Sequence, residues 1–298
     1  MIKCNNKAKV LISILTIFLI CMFIRVIEYW FIRTDQTVIA ENFIHKLFGI
    51  MIMCICVKLF SLTLADIGFS KNNILKQTFL GVTMGLVFFG LAYLTEILIL
   101  VLSGNNTTLE IYVSGFSFVG LPIKNTAIEF FILCFLFNMI NVIMEEGIFR
   151  GLFLKIGENA FSFVKLSVLI AVLFGVWHFI LPLRSYTDGD MSLYSMIFMN
   201  VGYLVLGGIM SMKWLLLYKI TGSLWFSMGD HFVNNTLTNI LHVTTPTGSD
   251  ELQIVRIIIA QLLSFSLVIS WYFKNKKTFR NLISNEVHTS TENQTNNN

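Results

Sequence analysis

Eight apolar stretches dominate the chain, near 10–31, 47–64, 78–102, 127–146, 165–182, 193–212, 223–242 and 252–273. Each approaches the ~20 residues with which a helix crosses a ~30 Å hydrocarbon layer. In lipid every backbone N–H and C=O must be bonded within its own segment, which restricts spanning structures to helices and closed barrels. The expected fold is therefore all-α: a polytopic transmembrane helical bundle of about eight spans, forming one membrane domain over 1–279. Composition agrees, since 55% of the 298 residues are hydrophobic and 13% charged, against about 25% charged in soluble domains. A soluble enzyme, a secreted disulfide scaffold and a disordered chain are excluded.

Charge distribution supplies an orientation. With the N-terminus inside, 14 of the 21 basic residues fall on the cytoplasmic side, from Lys3 to Arg280, and five on the other, Arg33, Lys46, Lys124, Arg184 and Arg256. Arg25 and Lys58 lie within spans. This asymmetry predicts cytoplasmic termini in a cell membrane. The first stretch exceeds a signal-peptide core and no A-x-A-like site follows, so it reads as a retained anchor. Arg25 and Glu28, three apart, are placed to pair on one helical face. The five cysteines are odd in number, and four lie in apolar runs as small core residues. The polar end, 280–298, reads as a disordered tail. A net charge of +4 gives no argument for nucleic acid, and membrane lipid is the evident partner.

Ionisable groups within a bilayer cost about 2.5–3.5 kcal/mol each at a helix centre on insertion scales, so they mark function first. Three clusters stand out: Asn138, Asn141, Glu145, Glu146 and Arg150; His178; and Asp230, His231, Asn234 and Asn235. At about 100° per residue, Arg150 lies one turn beyond Glu146 as a favourable i,i+4 pair. Glu145 instead shares a stripe with Asn141 and Asn138, so two adjacent carboxylates receive different surroundings. His231 and Asn235 project from one face. For Glu146 with Arg150 a juxtamembrane charge pair is the simpler reading, and polar faces also serve as glue between helices. Convergence of all three clusters would supply a carboxylate, two imidazoles and an amide.

Peptide-bond hydrolysis uses such a set. A carboxylate with a histidine deprotonates water, while an imidazole and an amide donate to the developing oxyanion. The same Glu and His side chains are also a ligand type for a divalent ion such as zinc, although no H-E-x-x-H is present. A transporter would favour repeats and broken spans, and neither is evident.

Glu145-Glu146-Gly-Ile-Phe-Arg150, Phe174-Gly-Val-Trp-His178 and His231-Phe-Val-Asn-Asn235 resemble the E-E-x-x-x-R, F-x-x-x-H and H-x-x-x-N motifs of the CPBP intramembrane proteases. That family groups type II CAAX prenyl endopeptidases with bacteriocin-processing and immunity proteins. The match covers about 125–242. The resemblance implies a glutamate-dependent protease of peptide or lipidated-peptide substrates, with Glu145 as base, His178 assisting, and His231 and Asn235 binding the oxyanion. Glu146 and Arg150, with Asn141, would support the site. No cofactor is required in this reading; the metal alternative makes Glu145, His178 and His231 zinc ligands. The competing role is a non-catalytic scaffold or immunity-type protein, whose mark would be a broken motif.

Overall fold

Long apolar sequence in lipid folds as helix because each turn satisfies its own backbone. The computed structural model describes residues 6–37, 41–114 and 124–295, with side chains described up to 274. Every apolar stretch is helical. In chain order these are α1 (Lys7–Ile27), α2 (Ile44–Leu59), α3 (Ile74–Leu102) and α4 (Ile128–Glu145). The short α5 (Leu154–Gly157) precedes α6 (Phe163–Trp177) and α7 (Ile180–Thr187), followed by α8 (Leu193–Thr221), α9 (Trp225–Ile240) and α10 (Gln253–Thr295). The fold is an all-α polytopic bundle.

Among the described residues six helical stretches are long and apolar enough to cross a membrane: 7–36, 74–102, 128–157, 163–187, 193–221 and 253–274. The other two of the eight, α2 and α9, have 16 residues each, about 24 Å at 1.5 Å per residue. For α9 the reason is chemical. It carries Asp230, His231, Asn234, Thr236 and Asn239, all buried, and is enclosed by protein. Glycine makes that enclosure close. A Cβ on Gly81 of α3 would lie 2.1 Å from the Phe226 carbonyl oxygen, and one on Gly229 of α9 2.5 Å from that of Thr78. Around the outside Phe31, Leu75, Leu102 and Tyr194 are exposed, as lipid-facing positions are.

Contacts between elements add what the sequence pattern does not carry. A two-stranded antiparallel ribbon, β1 (Thr108–Ile111) with β2 (Leu241–Thr244) in register Thr108 to Thr244, caps one end of α9. Arg25 and Glu28 do not pair with each other. Glu28 accepts from His45 Nδ1 at 2.5 Å, Thr34 Oγ1 at 2.5 Å and the Ile44 and His45 amides, while Arg25 donates to the Trp177 carbonyl at 2.7 Å. Capping the start of α2 and answering a buried histidine satisfies the carboxylate more completely than one guanidinium would. The backbone of α10 is helical to Thr295. Extending a formed helix avoids the nucleation cost. Of the cysteines, Cys21, Cys56 and Cys134 are buried, Cys54 is exposed, and Cys4 lies outside the described residues.

Candidate active site

Glu145 closes α4 and Glu146 opens a π-helical segment, Glu146–Phe153. Its i→i+5 bonding widens the turn, so the α-helical projection used for Glu146 and Arg150 no longer applies. The Arg150 Nη1 stands 3.5 Å from Glu146 Oε1, beyond a good N–H···O distance. None of the three guanidinium nitrogens of Arg150 makes a hydrogen bond. Instead the guanidinium lies 3.9 Å above the Phe174 ring and 4.9 Å from that of Trp214, a buried cation on aromatic faces. Both side chains are completely buried.

The Glu146 carboxylate, in ion-pair contact with Arg150, also reaches another helix. Its Oε1 accepts from His231 Nδ1 at 2.9 Å, which fixes the imidazole so that Nε2 faces Glu145 Oε2 at 3.5 Å. Glu146, expected to pair with Arg150, thus also orients His231. His231 also stacks on Trp214, with ring centroids 3.9 Å apart and planes at 17°. Glu145 Oε1 accepts from Trp177 Nε1 at 2.9 Å, and its Oε2 accepts no hydrogen bond from the described residues.

The fifth apolar stretch breaks at its functional residue. Pro182 has no N–H with which to reach the carbonyl of residue 178, so a continuous α-helix cannot pass through this point. His178 accordingly caps α6, and tight turns carry the chain into α7, with bonds from His178 N to Gly175 O and from Leu181 N to His178 O. The ring is held by Nδ1–H donating to the Phe174 carbonyl at 2.8 Å, which leaves Nε2 as an acceptor in the neutral tautomer. Tyr203 stacks on it at 5.4 Å. Its partner motif residue, Phe174, therefore has two contacts of consequence: its carbonyl orients His178 and its ring lies under Arg150.

Glu145, His178, His231, Asn235 and Asn141 line one partly open cavity of about 370 Å³. Glu146 and Arg150 stand behind it, among the aromatic side chains. Asn138, expected on the same stripe, is buried away from the cavity, where its Nδ2 meets Cys134 Sγ at 3.4 Å and its Oδ1 meets Asn239 Nδ2 at 3.5 Å. Asp230 takes no part in orienting His231; it accepts from Trp214 Nε1 at 2.7 Å and lies 2.5 Å from Lys213 Nζ. Sequence reasoning missed Arg25, which lines the cavity and lies 4.3 Å from the Trp177 ring. It also missed the two tryptophans. The signal for Arg25 was present, a cation inside a span, but the nearby Glu28 offered a closer explanation in sequence.

A divalent metal needs three protein donors around one point. The imidazoles are suited in chemistry, since both Nδ1 positions are occupied by hydrogen bonds. Among the described residues, however, no group of three or more His, Cys, Asp or Glu side chains is placed to hold an ion. Glu145, His178 and His231 thus share a cavity without forming a ligand set as they stand.

A lipid-embedded helical bundle that gathers a carboxylate, two imidazoles and an amide around one cavity has the parts of an intramembrane hydrolase. Residues 127–237 match the family model described as type II CAAX prenyl endopeptidase Rce1-like. All three motifs fall inside the match, in keeping with the CPBP resemblance. No curated protein and no solved structure was found to match. The apolar helices, together with this match, indicate an integral membrane protein.

Proposed function

We propose that the protein is an intramembrane endopeptidase that hydrolyses a peptide bond of a membrane-associated peptide or lipidated peptide, using water activated by Glu145 and requiring no metal. The observation that carries this reading is the shared cavity, with a buried Glu145 carboxylate oxygen that accepts no hydrogen bond from the described residues. Water held by Glu145 and the acceptor Nε2 of His178 attacks the carbonyl carbon, and its proton passes to Glu145. The oxygen so charged accepts hydrogen bonds from Asn235 and from His231 when that ring carries a proton on Nε2. Collapse breaks the C–N bond, and Glu145 returns the proton to the leaving amine. Glu146 keeps His231 oriented.

The cavity's mixed wall suits an amphipathic substrate. Phe198, Leu206, Met210, Ile254 and Ile257 line it along with the polar groups, so a chain with an apolar portion finds apolar surface beside the reactive carboxylate. The test uses purified protein in lipid vesicles with quenched-fluorescence peptides, farnesylated and unmodified. Cleavage by wild type and its loss in Glu145→Ala at unchanged abundance supports the reading. Equal cleavage by both refutes it.

A further inference from the structure

Whether Asn235 offers the cavity an N–H or a carbonyl decides whether it stabilises or repels an oxyanion, and a lone asparagine has no intrinsic preference. We propose that a buried relay beginning at Lys213 sets that choice, making Gln261 of α10 a positioning residue for the reaction. The inference rests on the function proposed above and extends it to residues outside the family match, which ends at 237.

The relay can be followed atom by atom. Lys213 is 1% exposed, and its ammonium has three protons and no acceptor capacity. Those protons meet Asp230 Oδ2 at 2.5 Å, Gln261 Oε1 at 2.7 Å and Ser264 Oγ at 3.1 Å. Because the lysine only donates, Gln261 must turn its oxygen toward it. Its Nε2 then donates to Asn234 Oδ1 at 2.9 Å. Asn234, its oxygen engaged, donates from Nδ2 to Asn235 Oδ1 at 2.9 Å. What remains at the end is the Asn235 Nδ2, which donates to no other described group and belongs to a residue lining the cavity. Each amide alone could be flipped. A cation at one end removes that freedom from all three, and alignment of successive dipoles strengthens each bond. Asp230 neutralises the cation, so the relay carries orientation without a net buried charge.

Gln261→Glu is the informative change because it keeps size while converting the donor into an acceptor. Asn234 then donates to the new carboxylate, Asn235 turns to donate to Asn234, and a carbonyl oxygen faces the cavity. In the peptide assay above we expect kcat to fall about 100-fold, as for loss of one oxyanion donor, with KM within about threefold and folded yield retained. Asn234→Asp, which keeps the Lys213 to Gln261 bond, should give the same split and serves if Gln261→Glu folds poorly. A kcat within about threefold of wild type in either folded variant overturns the proposal. An independent readout needs no substrate. In wild type with ¹⁵N-labelled asparagine, the Asn235 side-chain amide should exchange with water much faster than that of Asn234. The reverse order overturns the relay even if no peptide is cleaved, whereas the expected order without any cleavage leaves the relay standing and refutes the protease reading.

Discussion

Glu146→Gln should be the most destabilising of the conservative changes at the site, and its cost follows from what surrounds it. The wild-type carboxylate is fully buried, accepts from His231 and faces the Arg150 guanidinium at 3.5 Å. Arg150 has no hydrogen bond of its own. Neutralising Glu146 removes the nearest anion from a buried cation that otherwise rests on aromatic faces. Breaking a buried pair costs about 3–5 kcal/mol, and the ring contacts, worth about 2 kcal/mol when desolvated, are already present in wild type and give no new compensation. Against a total stability of about 5–15 kcal/mol that is a large fraction. Glu145→Gln differs, because its amide oxygen can still accept from Trp177 and one buried carboxylate is removed; stability should hold while turnover is lost. The double variant Glu146→Gln with Arg150→Met, which removes both charges, should recover at least about 2 kcal/mol relative to Glu146→Gln alone. Denaturation in bicelles measures the stabilities, and peptide cleavage per folded molecule measures turnover. Equal destabilisation by Glu145→Gln and Glu146→Gln, with normal specific activity in both, would refute the division of labour.

Other outcomes follow from separate parts of the structure. Reporter fusions after Lys276 and within 104–108 should lie on opposite sides of the membrane, the first cytoplasmic; the same side for both would contradict the orientation inferred from charge. Activity should survive strong chelation, with clearly less than one metal ion per chain, and loss of activity reversed by added zinc would replace the metal-free mechanism. Gly81→Ala should lower stability by about 1–3 kcal/mol or more, read by thermal unfolding, since the new methyl meets the Phe226 carbonyl at 2.1 Å. Outside the spans, burial works to raise the Asp250 carboxyl, but hydrogen bonds from His242 and Arg256 outweigh it and hold the group below its ordinary 3.8. A depressed folded value means that its stabilisation is complete above about pH 4 and is lost as pH falls through the folded value; Asp250→Asn should flatten that acid limb.

The helices were legible because lipid leaves the chain few alternatives, and the site residues were legible because ionisable groups stand out in apolar sequence. What remained hidden depended on contacts between helices. The pattern i,i+4 pairs Glu146 with Arg150, and the approach of α9 adds His231 as a second partner of Glu146. Likewise Arg25 and Glu28 are three apart, but the geometry of α2 and α6 gives each a nearer partner. The break at His178 was readable in principle from Pro182, whereas the ribbon was not, because Thr108–Ile111 and Leu241–Thr244 pair across a sequence separation of more than a hundred residues.

The scaffold alternative can be judged on energetic grounds. A protein kept only for its helices gains nothing from a buried carboxylate oxygen without a donor among the described residues, a group that costs about 1–3 kcal/mol. Nor does it need a cavity beside that oxygen, since lost packing is also destabilising. Glu145→Leu removes the buried charge, although it also strands the Trp177 N–H, whose loss costs about 1 kcal/mol. Pairing it with Trp177→Phe avoids this. In a scaffold the double variant should lose only the stability that the smaller ring of Trp177→Phe gives up in packing, and should support the full cellular phenotype. In a protease the same variant should be stable and should show no phenotype at normal abundance. A variant that is abundant and fully active in cells would leave the protein with the fold of the family and without its chemistry.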